Sequence, residues 1–263
     1  MGRVLITGCS TGFGRATAIE LKKRGFEVVA TARRPETLDD LDVDGRLTLD
    51  VTDDASVAAA VDRAGIIDVL VNNAGISVSG PVELVPLVEV RRLFETNVFG
   101  ALRMMQAVLP QMRARGTGTI VNVSSVSGKV AAPLSGSYAA SKFALEALSE
   151  AMHVEMEHFG VRTIVIEPGY FKTEISQSGI AYGVDGPPYD ELAEKTGAMT
   201  AALGRDAAPG PEVVAVAIAD AVESPGPWRV PVGKDAEMVL GARATMDDAS
   251  FETAMREVLR FDW

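Results

Sequence analysis

The chain has one cysteine, Cys9, and two histidines in 263 residues. A single thiol excludes an internal disulfide and a multi-thiolate metal site, and it is in keeping with a reducing compartment. His153 and His158 are spaced i to i+5 on one helical segment, a poor metal pair, so no metal is expected. Long apolar runs are also missing. Nothing approaches the ~18 residues that a membrane-crossing helix requires, and the run Val4-Leu5-Ile6 is too short for a signal peptide. A cytoplasmic location is expected. Positive charge is scarce: 25 basic against 36 acidic residues leave a net charge of −11. That balance argues against a phosphate-tracking nucleic-acid surface and against anionic membranes.

What is present is a strict rhythm. Short β-rich runs, Val4–Thr7, Glu27–Thr31, Leu47–Leu49, Val69–Asn72, Ile120–Ser124, Arg162–Glu167 and Arg229–Val232, alternate with helical patterns. Those patterns lie at Gly14–Arg24, Asp54–Arg63, within Leu87–Arg115, within Ser137–Phe159, and at Pro211–Glu223. Val69-Leu70-Val71 is apolar on both strand faces, as when helices cover both sides of a parallel sheet. Alternation with right-handed crossovers predicts one doubly wound domain over 1–263, a parallel sheet of about seven strands between helices. One segment breaks the rhythm. Residues 176–211 are rich in Gly and Pro around a helical stretch at Tyr189–Leu203, and read as a substrate lid or a variable surface loop.

Gly8-Cys9-Ser10-Thr11-Gly12-Phe13-Gly14 joins the first strand to the first helix. Glycines there permit a tight turn and let the backbone approach a pyrophosphate at a positive helix N-terminus. The second strand ends Ala30-Thr31-Ala32-Arg33-Arg34, with no acid before Glu36. An acid would suit the ribose 2′-hydroxyl of NAD, whereas Arg33 or Arg34 suits a 2′-phosphate. NADP(H) is therefore preferred, with NAD(H) left open. Asp50, followed by Val51, is placed to accept from an adenine amine, and Asn73-Ala74-Gly75 offers small residues for close backbone approach.

Tyr138 and Lys142 stand four residues apart on a predicted helix, hence on one face. A cation fixed beside a phenol favours the phenolate and draws its pKa down from ~10. Taken alone, Y-x-x-x-K is a weak pattern that a solvated Lys below a half-buried Tyr also satisfies.

Thr7-Gly8-x-x-x-Gly12-x-Gly14, Asn73-Ala74-Gly75, Asn97, Ser125, Tyr138-x-x-x-Lys142 and Pro168-Gly169-x-x-x-Thr173 together resemble the short-chain dehydrogenase/reductase family, in its compact branch. Ile6-Thr7-Gly8-Cys9-Ser10, the stretch from Asp68 to Gly75, and that from Ala140 to Glu146 look closer still to its 17β-hydroxysteroid and retinol dehydrogenase-like group. The resemblance covers roughly residues 3–175 and implies a Rossmann-type fold. It implies that Tyr138 exchanges the proton with substrate, Lys142 holds the nicotinamide ribose, and Ser125, thirteen residues before Tyr138, bonds the carbonyl or alcohol oxygen. Asn97, in Thr96-Asn97-Val98, would be the Asn of a helix kink that holds a water behind the Lys. Pro168 and Gly169 would brace the nicotinamide ring, with the Phe171 backbone and Thr173 hydroxyl contacting carboxamide and phosphate.

These readings converge on an NADP(H)-preferring oxidoreductase for a small, apolar alcohol or carbonyl compound. Val78, Val130, Ala131, Pro133, Leu134 and Met199 are expected around its pocket. The resemblance implies that the long helices within Leu87–Arg115 and Ser137–Phe159 pair subunits, so a homodimer or homotetramer is expected. A non-catalytic cofactor-binding regulator and an NAD-dependent dehydrogenase are the alternatives.

Overall fold

Seven strands form one parallel sheet: β1 (Arg3–Ile6), β2 (Glu27–Ala32), β3 (Gly45–Thr48), β4 (Val69–Asn72), β6 (Gly118–Val123), β7 (Val161–Pro168) and β9 (Arg229–Val232). Their spatial order is β3-β2-β1-β4-β6-β7-β9. The chain winds outward from β1 to β3, then returns to β1's other side, so β1 and β4 flank the point where direction reverses. In open α/β sheets the crevice at the carboxyl ends of such strands is where ligands bind. The computed structural model describes residues 2–173, 175, 179–202, 208–259 and 262–263.

The alternation of side chains fills both faces. Val4, Ile6, Val28, Ala30, Val69, Val71, Val121 and Val123 enter one apolar cluster, whereas Leu5, Val29, Leu70 and Ile120 enter the other. Helices α1 (Gly12–Lys23) and α7 (Glu212–Glu223) cover the first face through Ala18, Leu21, Val214 and Ile218. Helices α2 (Asp54–Ala64), α4 (Ala101–Arg115) and α5 (Gly136–Glu157) cover the second through Val57, Met104, Met112 and Met152. A buried polar chain also ties α5 to the sheet. Asn72 donates to Asn122 at 2.9 Å, and Asn122 donates to Ser149 at 2.8 Å.

The helical pattern over Leu87–Arg115 is not one helix. It is α3 (Leu87–Phe94) and α4 separated by a π-helical turn, Glu95–Gly100, that contains Asn97. A π-bulge interrupts the i→i−4 ladder. Helices α8 (Lys234–Thr245) and α9 (Asp248–Leu259) follow the last strand, where the sequence offered no motif. In the irregular segment, β8 (Ile180–Ala181) pairs in parallel with β5 (Val78–Ser79), and α6 (Asp190–Ala202) follows. Of the 176–211 insertion, residues 176–178 and 203–207 lie outside the described residues.

Candidate active site

A cleft of about 390 Å³ opens beside the carboxyl ends of β1, β2 and β4. Gly8, Ser10, Thr11, Gly12 and Phe13 form one wall, with Arg33, Asp50, Val51, Asn73, Ala74 and Gly75 around them. Tyr138 and Lys142 stand at its other end, while Thr173 lies beside Gly12. Gly14, Arg34, Asn97, Ser125, Pro168, Gly169 and Phe171 lie off this lining. So do all six residues expected to surround an apolar pocket, and Val78 and Met199 are buried in the packing instead. The larger apolar residues that do line the cleft are Ile76 and Ile175, along with Phe13, Leu49, Val51 and Val123.

The glycine end is made of main chain. Gly8 and Gly12 take φ of 74° and 58°, conformations that side chains disfavour. A Cβ on Gly14 would run into Asn73 Nδ2 and the Gly8 carbonyl. Asn73 is itself committed: its Nδ2 donates to the Thr7 and Gly8 carbonyls at 2.9 and 3.0 Å. Thr7 Oγ1 accepts from the Asn73 and Ala74 amides at 3.0 and 2.9 Å, so β4's end is laced to β1's end. Thr11 precedes α1 without a side-chain cap among the described residues, and the helix's first N–H groups stay available. Exposed Arg33 faces Asp50 across the cleft. Burial works against ionising Asp50, but hydrogen bonds from Thr52 at 2.9 and 2.7 Å and the Arg33 charge hold it below the usual carboxylate range.

The other end is made of side chains. Ser125 stands at the end of β6 with an extended backbone, and its Oγ accepts from the Ser127 amide at 3.1 Å. Its hydroxyl also hydrogen-bonds Tyr138. The neighbouring Ser124 points the opposite way, as alternation requires, and its buried Oγ has no partner among the described residues. The Tyr138 ring keeps partial exposure, but its hydroxyl end is desolvated: burial pushes it up to about 12, against the Ser125 hydrogen bond. This corrects the expectation that Lys142 pulls the phenol down. Lys142 Nζ instead donates to the Val123 carbonyl at 2.8 Å and lies 5.8 Å from the Tyr138 ring centre. Burial lowers Lys142 itself to about 8, with Glu146 opposing.

Asn97, 2% exposed, spends both amide hydrogens on the Ile76 carbonyl (3.0 Å) and Ser141 Oγ (3.1 Å), and its Oδ1 accepts from the Ile76 amide at 2.8 Å. Ser141 in turn donates to the Tyr138 carbonyl at 2.7 Å. The Asn97 side chain therefore holds the loop after β4 against α5, which leaves main-chain groups of the π-turn as its means of holding a water.

Pro168 ends β7, and Gly169 donates its amide to the Val232 carbonyl at 2.9 Å. The Tyr170 amide donates to Asp235 Oδ2 at 2.6 Å, and a Cβ on Gly169 would strike that same carboxylate. Phe171 packs edge-to-face on Phe13 at 5.7 Å, joining this turn to the glycine wall. Asp235 is a residue that sequence reasoning missed. Gly233-Lys234-Asp235 announces a turn and an acidic helix start, but nothing local says which loop the acid meets. Cys9 is fully buried with its thiol raised to about 12, so it is inert packing. His153 stacks on Trp228 and His158 meets Phe159 edge-on. Among the described residues, no His, Cys, Asp and Glu grouping suits a metal, and no helix is long and apolar enough to cross a membrane.

Known proteins resemble this chain in sequence and fold. A family model described as short chain dehydrogenase matches residues 3–181. The uncharacterised oxidoreductase YusZ of Bacillus subtilis is 34% identical over 273 residues, covering 97% of each chain. Human retinol dehydrogenase 8 is 42% identical over 184 residues, covering 65% of this chain and 59% of that protein. A Burkholderia cenocepacia short chain dehydrogenase crystallised with NADP superposes with a TM-score of 0.79 at 28% identity, covering 99% and 98% of the two chains. The chain belongs to the short-chain dehydrogenase/reductase family of NAD(P)-dependent oxidoreductases, near its retinol dehydrogenase-like group.

Proposed function

We propose that the chain is an NADP(H)-preferring oxidoreductase that interconverts an apolar alcohol with its ketone or aldehyde, using Tyr138 as proton donor and acceptor. One observation carries this reading: Tyr138, bonded to Ser125 and beside Lys142, closes one end of a cleft whose other end is a glycine-lined cradle. The cradle suits a dinucleotide. Side chains at Gly8 or Gly12 would be strained, the start of α1 presents open N–H groups to a pyrophosphate, and Asp50 stands ready for an adenine amine. Exposed Arg33 on the lining, with no acid at β2's end, favours a ribose 2′-phosphate. The NADP in the Burkholderia structure supports that preference.

The bound nicotinamide supplies hydride exchange; the protein supplies orientation and the proton. With its hydroxyl raised to about 12, Tyr138 is a neutral phenol near pH 7, the form that donates to a carbonyl oxygen. Ser125 holds that oxygen in place. The Lys142 ammonium, on the cleft lining, would hold the nicotinamide ribose hydroxyls. The turn at Pro168–Gly169, pinned by Asp235, braces the ring, with the Phe171 backbone and Thr173 beside it. Residues 1–263 act as one domain, and the segment around β8 and α6, anchored through β5, forms a lid over the substrate end. The apolar lining and the likeness to retinol dehydrogenase 8 support an apolar substrate.

Tyr138→Phe tests the reading: NADPH oxidation against a panel of ketones and aldehydes should fall by ~10²–10⁴-fold or more, while NADPH binding followed by fluorescence stays close to wild type. Undiminished turnover would sink it. A wild-type protein that binds NADPH and reduces no carbonyl compound would favour the regulator instead.

A further inference from the structure

Behind Tyr138 and Lys142 lies a set of charges, built around the buried carboxylates Glu146 and Glu167, that the mechanism above leaves unused. Glu146 follows Lys142 by one turn of α5, and its side chain is 4% exposed. Arg229 Nε on β9 approaches Glu146 Oε2 at 3.2 Å, and Lys129 Nζ approaches the same oxygen at 3.7 Å. The other Glu146 oxygen, Oε1, and Ser124 Oγ have no hydrogen-bond partner among the described residues. Both border Gly128, where an added Cβ would lie 3.2 and 2.7 Å from them. Arg229 also reaches Glu150 at 2.6 Å and Glu167 of β7 at 3.8 Å.

Such a cluster is costly, since desolvating each ion costs several kcal/mol and a hydrophobic replacement is often no less stable. The charges facing Glu146 are Lys142 and Glu150 from its own helix, Lys129 from the turn after β6, Glu167 from β7 and Arg229 from β9. Lys142 alone among them lines the cleft. We propose, resting on the Tyr138–Lys142 reading above, that Glu146 is a positioning residue for the reaction: its carboxylate, gripped by Arg229 and Lys129, keeps Lys142 cationic at working pH. Burial drives Lys142 toward neutrality, to about 8, and Glu146 is the charge that opposes it. The unsatisfied Oε1 fits this role, because a carboxylate with a spare lone-pair face retains negative potential toward its neighbours.

The test uses the full chain labelled with [ε-¹³C]lysine, the Lys142 resonance being assigned by its loss in Lys142→Met. Glu146→Gln keeps the shape and removes the charge. The Lys142 titration midpoint should fall by about one pH unit, and the alkaline limb of kcat for carbonyl reduction should move down with it. Glu146→Asp should restore most of both. Lys129→Gln, at a side chain 31% exposed and so tolerant of change, removes a neighbouring cation and should raise the Lys142 midpoint. That variant decides the matter if Glu146→Gln does not fold. An unmoved midpoint in both variants overturns the proposal, and the resonance needs no turnover to be read. A midpoint that falls while the alkaline limb stays also overturns it. In that case an active Tyr138→Phe places the failure in the proton-transfer reading, and an inactive one places it with Glu146.

Discussion

The two ends of the cleft are built from different materials. The glycine end is a main-chain structure: positive-φ glycines, an uncapped helix start, and Thr7 and Asn73 lacing β1 to β4. The tyrosine end is a side-chain structure in which burial raises Tyr138, lowers Lys142 and raises Glu167 behind them. A surface made of backbone can hold a cofactor whichever way its charges titrate. A surface made of buried ionisable groups works only in one protonation pattern. Binding and chemistry should therefore fail separately.

Tyr138→Phe is the sharpest test of that separation. It should cost ~10²–10⁴-fold or more in kcat and leave NADPH affinity near wild type, since it changes no backbone. A parallel loss of cofactor binding would mean that the two ends are one unit.

Gly14→Ala attacks the other end. Its Cβ would meet Asn73 Nδ2 and the Gly8 carbonyl, and the second of these is backbone that cannot swing aside. Overpacking of this kind costs about 1–3 kcal/mol. The expected result is a lower Tm and a weaker NADP(H) Kd, with kcat at saturating cofactor much less affected. Equal losses in Kd and kcat would blur the comparison.

Arg33→Asp probes a cofactor contact at the glycine end that depends on charge. A charge-assisted bond to a 2′-phosphate contributes about 1.5–3 kcal/mol, so the kcat/KM ratio for NADPH over NADH should drop by about 10- to 100-fold. An unchanged ratio removes Arg33 from the phosphate site and leaves the preference to Arg34 or to main chain.

The same division explains what could be read from the sequence. Backbone devices announce themselves locally. Glycine spacing, apolar strands and helix periods placed the seven-stranded sheet and the cradle within a residue or two. Ser125 could be preferred to Ser124 because strand alternation sends the two to opposite faces and Ser125 has the family's thirteen-residue spacing to Tyr138. The helix break at Asn97 was implied by the family resemblance alone, because the π-turn Glu95–Gly100 carries no Pro, has Gly only at its last position, and is held by a contact 21 residues away, with Ile76. The direction in which the Tyr138 phenol is shifted differed from expectation for a related reason. Spacing says that Lys142 is near, but desolvation and the Val123 carbonyl decide what each group does. Arg229 and Glu146 are 83 residues apart, and the Asp235 clamp on the Gly169–Tyr170 turn closes from beyond the last strand. No local pattern links such pairs; the sheet order does.

The smallest expected effect concerns stability rather than turnover. Glu167, with a side chain 3% exposed, is raised from its ordinary value near 4.5 to about 7, by burial first and the Glu146 charge second, against Lys129 and Arg229. Between those two values the folded protein keeps a proton that the unfolded chain has lost. Folding stability attributable to this group therefore declines as pH rises through that window and levels off above about 7. Glu167→Gln retains the shape and abolishes the titration. Relative to wild type, the variant should gain about 1–3 kcal/mol between pH ~4.5 and pH ~8, read by urea denaturation at several pH values. Arg229 limits the gain, because the substitution removes one of its three carboxylate contacts. A stability difference that stays flat with pH would show that Glu167 carries no strain, and the tyrosine end would then resemble the glycine end more closely than its buried charges suggest.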